Sequence, residues 1–278
     1  MCELNKRFNQ GIERIKQMKP HVLVTNDDGI HSRFLHILVE ALVPKFRVSV
    51  AAPKSEQSWI GRAISRHAEI EIEEQSTHFP TGVAAWSIGG TPSDCVNIAL
   101  GNLLNDRPQI VVSGINLGFN TSEILILSSG TIAGAIEGSI WGLPSIAFSQ
   151  AIPNELYGEI HAQAGQTDDR FFPIISASAT KAAEITENTL EMPPVLGKVL
   201  NVNFPDTMHS KALIEQTSPS KIHMGSLYER NENGKYRFRY SEGTRVCNNP
   251  NSDRDALKRG NVSISELDFS AIGKTNKS

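Results

Sequence analysis

The chain has little of what marks several common protein classes. Three cysteines occur in 278 residues, at Cys2, Cys95 and Cys247, far apart and without a CxxC pair. That spacing supplies neither a disulfide framework nor a thiolate zinc site and fits free thiols in a reducing compartment. No HExxH string is present, and no GxGxxG follows the first apolar segment, so a zinc peptidase and a dinucleotide-dependent redox enzyme are both unsupported. No apolar run approaches the ~18 residues needed to span a bilayer. The N-terminus carries Glu3, Lys6, Arg7, Glu13 and Arg14 and lacks the apolar stretch of a secretory leader, so a cytoplasmic protein is expected. Neither sign of charge dominates: 27 basic against 30 acidic residues give a net charge of -3. Neither nucleic acid nor an anionic membrane is expected as a partner.

What is present is a soluble globular composition, 39% hydrophobic and 21% charged, long enough for a large core. Residues 1–19 read as a polar N-terminal extension, and 20–278 as the folded domain. Short β-branched segments at 21–25, 47–52, 110–112, 145–148 and 198–202 read as strands. Segments 33–43, 92–104, 131–141 and 175–190 read as helices. The alternation predicts right-handed βαβ units and an α/β fold: a Rossmann-like, mostly parallel sheet with helices on both faces. Two segments break the pattern. Residues 62–88 suggest an excursion of antiparallel strands. Residues 211–250, with the period-two string YRFRY, suggest a projecting β-hairpin, either an oligomer contact or a surface feature.

Ligands of an open parallel sheet bind beyond the C-terminal ends of its strands. There the sequence places Asn26-Asp27-Asp28-Gly29, then Pro53 to Ser58, then Ser113 to Asn120, and finally Ser128-Ser129-Gly130-Thr131 before a helix. Two adjacent carboxylates repel and resist desolvation, and a divalent cation relieves both. Oxygen donors alone suit a hard ion such as Mg²⁺ or Mn²⁺. Ser-Gly-Thr at a helix start offers free N–H groups and a positive dipole end to a phosphate. Each string has a plain structural reading too. Asn-Asp-Asp-Gly is a turn with Gly29 at positive φ; Ser58 suits a loop, Asn116 a turn, and Ser129 an N-cap.

Five co-linear motifs then carry a resemblance. VLVTNDDGI (22–30), AAPKSEQS (51–58), GGTPSDCVNIAL (89–100), RPQIVVSGINLGFN (107–120), and SSGTIAGAIEG (128–138) with GLPSIAFS (142–149) together resemble the SurE family of 5'/3'-nucleotidases. The likeness continues more weakly through LNVNFP (200–205) and SDRDALKRGNVSI (252–264). It implies a Rossmann-like core with a C-terminal hairpin exchanged between subunits of a homodimer or homotetramer. It implies hydrolysis of nucleoside 5'-monophosphates, with 3'-monophosphates and short polyphosphate as further substrates. The implied metal ligands for one divalent cation per subunit (Mg²⁺ or Mn²⁺) are Asp27, Asp28, Ser58 and Asn116. Asp27 and Asp28 are also the candidate catalytic carboxylates: one is expected to serve as general base, and Asp27 either plays that part or attacks phosphorus directly. Asn120, Ser129, Gly130 and Thr131 are implied to hold the phosphate. The chain departs from the family at His31-Ser32-Arg33 in place of Ala-Pro-Gly, at QSWIGRAI in place of QSGVGHAI, and in the 120–128 loop, which is one residue longer and lacks a Tyr. Trp59, in the altered loop, reads either as a wall for the nucleoside or as a subunit contact. The altered 120s loop leaves a non-catalytic metal- and nucleotide-binding module as the alternative.

Overall fold

The structure, a computed structural model, describes residues 19–271 apart from 168, 169, 192 and 194. Residues 1–18 of the expected N-terminal extension therefore lie outside the described residues. The fold begins at β1 (His21–Thr25), followed by α1 (Arg33–Leu42) and β2 (Arg47–Pro53). A short strand β3 (Ile72–Glu74) precedes β4 (Ala84–Ile88), α2 (Pro92–Ile98) and β5 (Ile110–Leu117). Next come α3 (Ser122–Ser128), α4 (Gly130–Ile140), β6 (Ser145–Gln150), α5 (Asn154–Ala162), α6 (Phe172–Leu190) and β7 (Lys198–Phe204). Five short strands follow: β8 (Ile214–Gln216), β9 (Ile222–His223), β10 (Tyr228–Arg230), β11 (Tyr236–Phe238) and β12 (Thr244–Arg245). The described chain closes with α7 (Asp253–Lys258) and β13 (Val262–Asp268).

Among the described residues one sheet has nine strands in the order β3-β4-β2-β1-β5-β6-β7-β13-β8. From β4 to β7 every pairing is parallel, while β3 and β13 run antiparallel to their inner neighbours. Alternate residues of the central strands feed two apolar layers. Val22 and Val24 pack with Phe34, Leu38 and Ile175 from α1 and α6. Leu23 and Val111 pack on the other face with Cys95 and Val96 of α2. Both faces are covered, so β1 is buried along its whole length, as expected for a strand in the middle of a parallel sheet. The strand order reverses at β1, which pairs with β2 on one side and β5 on the other. A crevice opens beyond strand ends at such a switch point.

Helix starts follow local chemistry. Thr91 and Asp94 form a capping box at α2 with Pro92 in the first turn. Three expectations are corrected. The strand expected at 110–112 continues to Leu117, past an irregular register between Ser113 and Asn116. Gly114 takes φ +133° there, so the glycine is a bulge rather than a strand end. Residues 62–88 are not wholly an antiparallel excursion: β3 is antiparallel to β4, but β4 joins the main sheet parallel to β2. Its inward residues Ala85 and Ile88 are buried, which ties it to the core. Within 211–250, β10–β11 and β9–β12 form antiparallel pairs, as expected of a projecting hairpin, whereas β8 lies in the main sheet beside β13.

Candidate active site

The β1 end carries two carboxylates because the chain turns sharply after Thr25. Gly29 adopts φ +98°, and the Asn26 amide donates to Gly29 O at 3.0 Å to close the turn. Asp27 is buried; Asp28 is partly exposed. The Thr131 hydroxyl donates to Asp27 Oδ1 at 2.5 Å, and the Thr131 amide also bonds this carboxylate. The start of α4 therefore faces Asp27 itself. The Leu117 amide donates to Asp28 Oδ2 at 3.0 Å. Burial dominates both ionisations. It raises the Asp27 carboxyl to about 6 against the hydrogen bonds from Thr131. Burial and the neighbouring Asp27 charge push Asp28 well above the ordinary carboxylate range.

Three other segments approach this pair. The Gln57 amide donates to Asp27 O at 2.7 Å, which fastens the loop bearing Ser58 onto the β1 turn. Asn116, on the extended β5, spends its amide nitrogen on Gly118 O at 2.8 Å, so its Oδ1 is the atom left for a ligand. Ser129 caps α4 by accepting from the Ile132 amide at 3.1 Å. Gly130 is forced by close approach: a Cβ there would stand 2.7 Å from Asp27 Cβ and 2.9 Å from Gln57 O. Asn120 donates to Ser149 Oγ at 2.8 Å and accepts at its backbone oxygen from Asn201 and Asn203.

Asp27, Ser58, Asn116, Asn120 and Ser129 all line one cavity of about 520 Å³, within the range of small-molecule sites. Gly130 and Thr131 lie behind that surface, packed on or bonded to Asp27, and Asp28 stands beside Asp27 in the turn without lining the cavity. The residues fit a divalent cation by their donor chemistry. Two adjacent carboxylates with raised pKa, a hydroxyl and an amide oxygen form a hard-oxygen set that a positive charge would stabilise. Among the described residues no three His, Cys, Asp or Glu side chains are arranged to hold a metal ion together, so such an ion would rest on this pair plus neutral oxygens.

Other lining residues were not anticipated from the sequence. Asn154, Tyr157 and His161 of α5 all face the cavity. Their i, i+3, i+7 spacing directly after a strand end was the available signal. Trp59, which the sequence offered as a wall for the nucleoside or a subunit contact, lines it beside Phe238 and Tyr240, so hairpin strand β11 supplies part of the wall. A buried hub holds the 120s loop. The Asp253 carboxylate accepts from the Ser122 amide at 2.7 Å, the Ser220 amide at 3.0 Å and the Ser220 hydroxyl at 2.6 Å. Asp253→Ala would leave these buried donors unpaired, so we expect a loss of about 3 kcal/mol in the urea unfolding free energy.

The pattern of one protein family, described as Survival protein SurE, matches residues 22–226. The chain belongs to the SurE family. It is 32% identical over 260 residues to the 5'-nucleotidase SurE of Methanoregula boonei, covering 93% of this chain and 96% of that protein. It is 34% identical over 250 residues to the 5'-nucleotidase SurE of Methanoculleus marisnigri, covering 90% and 92%. The SurE fold is shared in three dimensions: the crystal structure of the SurE protein from Aquifex aeolicus superposes with a TM-score of 0.70 at 28% identity, covering 92% of this chain and 95% of that one. The SurE pattern thus spans the two carboxylates, the cavity segments of β5 and α4, and the base of the hairpin.

Proposed function

We propose that this chain is a 5'-nucleotidase, a phosphatase that hydrolyses nucleoside 5'-monophosphates to nucleoside and phosphate with one divalent cation, Mg²⁺ or Mn²⁺. The observation that carries the reading is the Asp27–Asp28 pair, with Asp27 packed against the start of α4 beside a cavity large enough for a nucleotide and Asp28 held by the Leu117 amide. Relatives that align over nine-tenths of the chain bear the name 5'-nucleotidase SurE, which supports the substrate class. We extend the reading to 3'-monophosphates and short polyphosphate as slower substrates.

When bound, the cation polarises the phosphoryl group and lowers the pKa of water. Asp27, Asp28, the Ser58 hydroxyl and the Asn116 Oδ1 would hold it. The chain's own residues do the remaining work. Thr131 fixes the Asp27 carboxylate through Oδ1, and Leu117 fixes Asp28 through Oδ2. One oxygen of each carboxylate is thereby oriented before substrate arrives, as efficient electrostatic catalysis requires. Ser129 and Asn120, which line the cavity, would bond phosphate oxygens.

Two measurements test this reading. Calorimetric titration with Mn²⁺ is expected to show one site in the wild type and none in the Asp27→Asn/Asp28→Asn double variant. Undiminished binding in the double variant would remove the pair from the metal site. Initial rates on AMP, GMP, 3'-AMP, pyrophosphate and triphosphate are expected to rank the 5'-monophosphates first. A triphosphate rate well above the AMP rate would make the chain a polyphosphatase instead.

A further inference from the structure

The cavity has a wall whose chemistry the phosphate site does not use. Trp59 adopts φ +60°, in the left-handed region that favours glycine and penalises any side chain. A tryptophan persists there only where its ring contributes something the backbone does not. Burial is not that contribution, because Trp59 remains 39% exposed. Its ring stands edge-on to Phe238, with centroids 4.9 Å apart and planes at 61°, and lies 6.4 Å from the ring of Tyr240. All three rings line the same cavity as Asp27, Ser58 and Ser129. Trp59 is adjacent in sequence to Ser58, so one loop delivers both a polar donor and an aromatic face.

We propose that Trp59, held by Phe238 and Tyr240, is the stacking face for the base of the nucleoside monophosphate and sets the selectivity of the site. This rests on the nucleotidase reading and names the part of the substrate that the carboxylates do not touch. Every base has a π-face, so a stacking wall accepts all four, and the larger purines gain the most contact. AMP and GMP are therefore preferred over CMP and UMP. The edge-on rings of Phe238 in β11 and of Tyr240 just beyond it hold Trp59 in place and make the hairpin a part of the specificity pocket.

Trp59→Gly suits this test because glycine adopts the φ of +60° without strain, so the variant is expected to fold. The ratio of kcat/KM for AMP to that for ribose 5-phosphate, the same sugar phosphate without a base, is expected to fall about tenfold in Trp59→Gly and to be retained in Trp59→Phe. Independently of turnover, adenosine is expected to quench the fluorescence of metal-free wild type, and this quench is expected to vanish in Trp59→Gly. An unchanged kcat/KM ratio, or an unchanged quench in Trp59→Gly, overturns the proposal and leaves Trp59 as a tether for the hairpin. Quenching by adenosine without phosphate release from any substrate would instead sink the nucleotidase reading while the stacking face stood.

Discussion

Asp28→Asn is expected to destroy turnover and at the same time to stabilise the metal-free protein. Loss of one carboxylate removes half of the charge that binds the cation, and interactions of that kind supply several kcal/mol to the transition state, so kcat on AMP should fall about a thousandfold. The stability effect has the opposite sign. A carboxyl whose folded-state pKa is raised favours the fold while protonated, and that stability is lost as pH rises through the folded pKa. Asp28 is raised well above the ordinary range by burial and by the charge of Asp27. At pH 7.5 in EDTA the Asp27–Asp28 pair is therefore a strain on the fold. Asparagine is neutral and retains an oxygen for the Leu117 amide, which donates to Asp28 Oδ2 in the structure. Thermal unfolding in EDTA is expected to show Tm higher by a few degrees in Asp28→Asn, whereas added Mn²⁺ should raise Tm in the wild type alone. An Asp28→Asn protein that is both inactive and less stable than wild type in EDTA would show that Asp28 is a structural residue.

Gly130→Ala is expected to produce the second-largest loss. The new methyl would meet Asp27 Cβ at 2.7 Å and Gln57 O at 2.9 Å. Neither is the free end of a flexible side chain, so the β1 turn and the Ser58 loop must separate. Overpacking of this kind costs roughly 1–3 kcal/mol. Displacement of catalytic groups by about 1 Å costs on the order of a hundredfold in rate. The expected result is a folded protein with a slightly lower Tm and kcat on AMP reduced about a hundredfold. Wild-type turnover in Gly130→Ala would mean that α4 does not set the position of Asp27.

The sequence was most legible where chemistry and strand order coincide. Asp27-Asp28, Ser58, Asn116, Asn120 and Ser129 each follow or lie near a strand end of the parallel sheet, and the structure draws them to one cavity or its immediate backing. Thr131 was picked for a helix N-terminus, yet its hydroxyl is spent on Asp27. A sequence does not reveal which partner satisfies a donor. β5 runs beyond the expected 110–112 to Leu117 because the chain resumes pairing with β6 after an irregular register between Ser113 and Asn116, which a local apolar pattern does not reveal. The α5 face of Asn154, Tyr157 and His161 was not anticipated, because the segment 151–171 is polar and mixed in pattern and only its register in the fold turns those residues inward. The rings of Phe238 and Tyr240 lie about 180 residues from Trp59. Their meeting at 4.9 and 6.4 Å is a product of the hairpin's path and is invisible to local pattern.

At the centre stands the proposal that the adjacent Asp27 and Asp28 make this chain a metal-dependent nucleotidase. It is tested most directly by phosphate release from AMP in EDTA, then after addition of Mn²⁺, in wild type and in Asp27→Asn. No release in EDTA, multiple turnovers per chain with Mn²⁺, and loss of that turnover in Asp27→Asn are expected. Mn²⁺ binding without any release by the wild type would contradict it and leave a non-catalytic binding module on the SurE fold.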